Sequence, residues 1–384
     1  MNQTYSVIEK FMQINAASPF NATVAKWKDE GKKIVGWLCA YIPEEIIHAA
    51  GAFPMRMMGK NEIVAGDSEA YLYSNTCSFV RNCLEMGLKG EYEFLDGIVA
   101  GTTCDHIRRF YEVWGRYLEI PYKFFLSVPH KITDHSHRFY VQELQRFVED
   151  IPKFTGVDLT AQALKASIDL FNDTRRMLKK IYEQRANEFP PITGTEMHEV
   201  LNACVRMPRE EYNRLLSQLL EEMNAEKVDK KPGASRFLIS GSHLDSTHYI
   251  RDIEGMGGIV VADELCTGSN YFWDLTDSSL APIEALAHRY LNHTPCARMR
   301  PSSKRLEHLL NLVDKYHVDG IIFIKMKFCD LYAFDGFMFN EALKEIDVPI
   351  LELEREYHQC SSGQMQTRIQ AFMEMIEVKK CRER

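Results

Sequence analysis

Three cysteines, Cys77, Cys104 and Cys329, occupy places where a thiol can do chemistry. Two of them close near-repeats. Asp96-Gly97-Ile98 leads through Val99 to Thr103 and then Cys104-Asp105, and Asp319-Gly320-Ile321 leads through Ile322 to Phe328 and then Cys329-Asp330. Each apolar, β-branched run reads as a buried parallel strand. A helix pattern follows at once, so both thiols fall at a strand's carboxyl end and a helix N-terminus. Open α/β sheets bind ligands at that edge, and the helix dipole there favours thiolate, the metal-binding form. Cys77, in Ser74-Asn75-Thr76-Cys77-Ser78, reads as a further helix start. Three thiolates from three loops could hold a [4Fe–4S] cubane and leave one iron without a protein ligand. Three buried apolar cysteines would read the same way, and no CxxC pair decides between the two.

Other chemistries find no footing. No GxxxxGK[ST] phosphate loop occurs, Gly36 does not open a GxGxxG fingerprint, His198-Glu199 lacks the second histidine of a zinc protease, and no GxSxG elbow is present. Glu44 and Glu45 open a helix after Pro43, where acids compensate the dipole. Arg108 and Arg109 could neutralise a cluster or touch phosphates, or form a solvated face. His130, His135 and His137 form a loop group that surface exposure explains as well as a proton relay does. Ser361-Ser362-Gly363 offers either an anion-binding helix start or an ordinary cap. Cys83 reads as core, and Cys39, Cys204, Cys360 and Cys381 have no ligand-like context.

The elements that must position these residues alternate. Strands are expected over 33–40, 95–100, 122–128, 237–240, 258–262, 320–325 and 349–353, with helices between them, which means parallel, doubly wound sheets. Residues 136–226 read as helical, broken at Pro190-Pro191, and Lys230-Lys231-Pro232-Gly233 reads as a linker. The expectation is two Rossmann/flavodoxin-like α/β domains, 1–135 and 233–384, with a helical segment and linker over 136–232. With 384 residues and a net charge of −8, the chain is large enough for two domains and is a poor partner for nucleic acid. No apolar run is long enough to span a membrane and no signal peptide is visible, so a cytoplasmic protein is expected. In that reducing compartment its ten cysteines are not read as a disulfide framework.

Taken in order, several short motifs resemble the 2-hydroxyacyl-CoA dehydratase / benzoyl-CoA reductase family. They are Tyr41-Ile42-Pro43-Glu44-Glu45 with Ala49-Ala50-Gly51; Cys77 and its helix; Cys104-Asp105 with Arg108; Lys327-Phe328-Cys329-Asp330; and Gly363-Gln364 with Thr367-Arg368 and Ala371-Phe372. The resemblance implies that Cys77, Cys104 and Cys329 hold a [4Fe–4S] cluster. It implies a related second cluster-bearing subunit, a separate ATP-hydrolysing iron–sulfur activator and an acyl-CoA substrate. It covers two chemistries, ketyl-radical dehydration and reduction of an aromatic ring. A third branch carries double-cubane clusters on about six cysteines, and Cys266 and Cys296 lie where that branch has similar residues. A further cysteine of that branch, between Cys77 and Cys104, is missing unless Cys83 substitutes. The expected function is the iron–sulfur subunit of an ATP-dependent radical acyl-CoA enzyme of the benzoyl-CoA reductase type. The extra Cys266 and Cys296 favour that type over a 2-hydroxyacyl-CoA dehydratase beta subunit. A double-cubane electron-transfer protein without an acyl-CoA substrate is the alternative of another class. An apolar cleft is expected around Tyr41-Ile42, Phe79, Thr102-Thr103 and Phe328, with Cys266 and Cys296 nearer to it than Cys39, Cys204 or Cys381.

Overall fold

The computed structural model describes residues 5–225, 234–358 and 363–383. The linker at Lys230–Gly233, Cys360 and Ser361-Ser362 lie outside the described residues. The first sheet is built from β1 (Ile34–Trp37), β2 (Phe53–Arg56), β3 (Gly97–Gly101) and β4 (Tyr122–Leu126). The second is built from β5 (Arg236–Gly241), β6 (Ile259–Glu264), β7 (Gly320–Met326) and β8 (Ile350–Arg355). Both are parallel throughout, in the orders β2-β1-β3-β4 and β6-β5-β7-β8. The two sheets therefore repeat one topology, and β3 and β7, the strands that lead to Cys104 and Cys329, are equivalent.

Each expected strand is present with its ends moved by a few residues. β2 is the addition. Phe53-Pro54-Met55-Arg56 is short and holds a proline, which parallel ladders tolerate only at an edge, and β2 is the edge strand beside β1. Its register brings Arg56 opposite Trp37, at the same carboxyl edge as the cysteines.

Between the sheets run the helices Asp134–Thr155, Ala161–Glu183, Gly194–Cys204 and Arg209–Ala225. Thr133, Thr160 and Thr193 cap the first three, the last through a reciprocal box with Glu196. One buried apolar core runs from Val35 and Val99 through Phe147, Ile168 and Leu216 to Leu238 and Ile321, joining both sheets to these helices. Glu44 and Glu45 open a helix as expected, in its first turn, and in addition both are buried in this core. Glu45 pairs with Arg175 at 2.6 Å and accepts from the Tyr290 hydroxyl at 2.7 Å. Glu44 pairs with Arg209 at 3.1 Å and accepts from Tyr271 at 2.5 Å. These bonds clamp the helix Glu44–Ala49 of the first half to the intervening helices and to the second half. No described helix is long and apolar enough to cross a membrane.

Gly241 ends β5 with φ +134°, and a Cβ there would strike the Ile324 carbonyl of neighbouring β7. Gly241→Ala combines a backbone strained for an L-residue with a clash against a strand that cannot retreat. We expect a loss of about 3 kcal/mol in a urea unfolding titration. A change under about 0.5 kcal/mol would mean that the β5–β7 contact is looser than described.

Candidate functional site

The carboxyl edges of both sheets open on one cavity of about 120 Å³. Its wall contains six thiols, those of Cys39, Cys77, Cys104, Cys266, Cys296 and Cys329. Cys77, Cys104 and Cys329 each occupy the N-cap of a helix, respectively Ser78–Leu88, Asp105–Tyr117 and Asp330–Lys344. The Cys104 sulfur accepts from the Ile107 amide at 3.5 Å, and the Cys77 amide donates to His106 Nδ1 at 3.2 Å. The apolar runs of β3 and β7 bury both strands, so the chain emerges at their carboxyl ends and turns directly into the helix. Phe328, φ +65°, makes that turn after β7.

Burial dominates the acidity of these thiols. It pushes Cys77 up to about 11, Cys329 to about 12 and Cys104 well above the ordinary range, while helix amides pull the other way and lose. The expectation that the helix terminus favours thiolate is thus outweighed in the bare protein, and a bound cation would have to displace the protons. Burial likewise holds Cys296 at about 11. For Cys266 burial also pushes upward, but the Arg56 guanidinium and His243 overcome it and bring the thiol down to about 7.

Arg56 and Arg298 are both buried in the wall, and neither has a carboxylate within ion-pair distance among the described residues. Arg56 donates to the Cys266 carbonyl at 3.0 Å and to its sulfur at 3.4 Å. Arg298 donates to the carbonyls of Thr102 at 3.1 Å and Val128 at 2.9 Å. A buried cation without an acid is costly, so the cavity suits an occupant of net negative charge. A thiolate-bound iron–sulfur cluster is such an occupant. Among the described residues no group of three His, Cys, Asp or Glu converges on a single metal ion.

Of the expected lining, Tyr41, Phe79 and Thr103 are present, whereas Ile42 lies in the core, Thr102 faces a separate shallow hollow and Phe328 is partly exposed. Cys266 and Cys296 are on the wall, but so is Cys39, contrary to the ranking expected from its sequence context. Cys83 is fully buried in the first sheet's core and does not reach the cavity. Cys204 is tied to Arg209 at 2.6 Å and Cys381 is exposed. Arg108 and Arg109 pair with Glu112 on an exposed face, and His130, His135 and His137 lie off the cavity. Sequence reading missed Arg56, His243, His293, Arg298 and Tyr332, all on the wall. The carboxyl-edge rule could have found His243, which follows β5. Arg56 needed the unforeseen β2.

The model of the family described as 2-hydroxyglutaryl-CoA dehydratase, D-component, matches residues 39–376. The chain is 26% identical over 349 residues to the (R)-phenyllactyl-CoA dehydratase beta subunit of Clostridium sporogenes, covering 90% of this chain and 92% of that one. It is 27% identical over 352 residues to a benzoyl-CoA reductase subunit of Thauera aromatica, covering 89% and 90% respectively. To the beta subunit of (R)-2-hydroxyglutaryl-CoA dehydratase from Acidaminococcus fermentans it is 26% identical over 379 residues, 97% of this chain and 99% of that one. The match begins at Cys39, takes in every strand except β1 and all six cavity thiols, and on it the chain belongs to the 2-hydroxyglutaryl-CoA dehydratase, D-component family, a family of enzyme subunits.

Proposed function

We propose that the chain is the iron–sulfur subunit of an ATP-dependent radical acyl-CoA enzyme of the benzoyl-CoA reductase type. The observation that carries this reading is the gathering of thiols at three helix N-caps on one cavity that also buries two unpaired arginines. Cys77, Cys104 and Cys329 would hold a [4Fe–4S] cluster. When bound, the cluster supplies a one-electron store with one iron free of a protein ligand. Arg56 and Arg298 offset its negative charge from inside the wall. Tyr41, Phe79 and Tyr332 keep the cavity largely apolar, excluding water from a reactive centre. Relatives named as a dehydratase beta subunit and as a benzoyl-CoA reductase subunit are about equally similar. The extra thiols Cys266 and Cys296 favour the reductase, because a two-electron ring reduction has more use for added iron–sulfur capacity.

The partners follow from the same reading: a related second cluster-bearing subunit, an ATP-hydrolysing iron–sulfur activator and an acyl-CoA. A cytoplasmic location fits, because the thiols must stay reduced. Since the sequence has no phosphate loop, the purified chain alone should show no ATPase activity, and robust hydrolysis free of activator would contradict the division of labour. The number of thiols also supports a second reading, a double-cubane electron-transfer protein without an acyl-CoA substrate. Anaerobic turnover by the chain with its partner and activator separates the readings. Ring reduction of benzoyl-CoA is the expected result. An enoyl-CoA formed from a 2-hydroxyacyl-CoA would assign the dehydratase instead, and a reducible cluster that consumes no thioester would assign electron transfer.

A further inference from the structure

We infer that His293 is the proton-transfer group of the cavity, taking up a proton at Nε2 as an electron enters and passing it to the acyl group being reduced. The assignment rests on the iron–sulfur reading above and adds to it the side chain that moves the proton.

The ring is held in one tautomer. His293 Nδ1 lies 2.9 Å from the Tyr290 carbonyl oxygen. That oxygen can only accept, so Nδ1 carries the hydrogen and Nε2 presents a lone pair. Nε2 has no partner among the described residues and is not sealed within the protein. Only 3% of the residue is exposed, and it lines the cavity, so the free nitrogen opens there. The rings of Tyr41 and Tyr290 pack against the imidazole, with centroids 4.8 Å and 6.2 Å away. The wall's other histidine is committed elsewhere. His243 meets Arg56 through Nδ1 at 3.4 Å and the Asp245 carboxylate through Nε2 at 3.5 Å.

The surroundings set how tightly the proton is held. Burial, and after it the Arg289 guanidinium, bring His293 down to about 4, so the resting ring is neutral at pH 7. Asp274 pulls the other way, its carboxylate anchored by the Thr294 amide at 2.9 Å. His293 is also the C-cap of the helix Pro282–Asn292, whose dipole favours an imidazolium. Burial keeps Tyr41 and Tyr290 neutral, and Arg298 lies over the Tyr41 ring at 4.9 Å. An electron added to the cavity is a negative charge, and it raises the proton affinity of Nε2.

The atoms and electrons balance. Each transfer moves one electron from the activator to the substrate ring and one proton from water, by way of Nε2, to a ring carbon. A C–H bond forms there, the N–H bond at Nε2 breaks and its electron pair stays on nitrogen. Two transfers add two electrons and two protons, which turns the aromatic ring into a cyclic diene.

The test is an anaerobic redox titration of the purified full chain at several pH values, followed by paramagnetic resonance, beside turnover of benzoyl-CoA with partner and activator. The wild-type midpoint potential should fall as pH rises through neutrality, because reduction binds a proton. His293→Gln places near Nε2 an amide that cannot take a proton, and His293→Asn keeps a donor for the Tyr290 carbonyl. Both should bind iron in full, show a potential that no longer follows pH, and lose about 100-fold or more in kcat with KM little changed. If His293→Gln does not fold, His293→Asn is read in its place. A variant whose potential follows pH as the wild type's does, or a wild-type potential independent of pH, overturns the inference and leaves the iron–sulfur reading standing. Wild-type protein that takes up no iron overturns both. A loaded chain that consumes no thioester overturns the acyl-CoA reading alone, and its potential still decides on His293.

Discussion

Cys104→Ala should leave a folded chain that binds iron poorly and supports no acyl-CoA turnover. Changes one shell away from a metal already cost about 10–100-fold in affinity, and loss of a direct thiolate should exceed about 100-fold. The fold should survive for a separate reason. Cys104 is only partly buried, and its sulfur makes one long bond, to the Ile107 amide at 3.5 Å, within the Asp105–Tyr117 helix cap. Losing a cap contact of this strength costs about 0.5–1 kcal/mol. Iron analysis, a thermal melt and an anaerobic turnover assay on the same preparation separate the two effects. A variant with full iron content and full activity would remove Cys104 from the site.

The largest expected effect on stability is at Arg175. Arg175→Met removes the ion-pair partner of Glu45 and leaves a buried carboxylate with one side-chain hydrogen bond, from Tyr290, and the more distant charge of Arg289. Breaking a buried pair from one side costs about 3–5 kcal/mol. Urea unfolding at neutral pH should show that loss, and the double change Glu45→Gln with Arg175→Met should recover part of it, because no charge is then stranded. The pH dependence has a definite sign. Burial pushes the Glu45 carboxyl upward, but Arg175 and Arg289 outweigh it and hold it below its ordinary value of 4.5 in the native protein. The pair's contribution is therefore present above that value and fades as acid protonates Glu45. In the variant the carboxyl rises instead, so acid relieves the stranded charge. The gap between wild type and variant should narrow as the pH falls. A deficit of under about 1 kcal/mol at neutral pH would show that Glu45 finds another partner.

The sequence alone determined every strand but β2, the helix starts that follow Cys77, Cys104 and Cys329, and the positions of those three candidate ligands. Those signals are local. A β-branched apolar run such as Ile98–Ala100 or Ile321–Ile324 has few uses other than a doubly buried strand. A cysteine placed between such a run and a helix pattern must then emerge at the carboxyl edge.

The tertiary structure decided the rest. β2 was hidden because a four-residue run with a proline becomes a strand only when β1 lies beside it. The helix start at Glu44 and Glu45 was legible, but their burial was not, because their ion-pair partners, Arg209 and Arg175, are more than a hundred residues away. Cys39 had no ligand-like neighbours in the chain, and its place on the wall depends on a left-handed turn pinned by β3 and by the loop of Cys296. Nothing local singles out Arg56 or Arg298, and only the packing of the two halves buries both without an acid. Local propensity specifies which edge of a sheet a thiol leaves from. Only the docking of two such edges, through a shared core and crossing arginines, specifies that six thiols face one cavity.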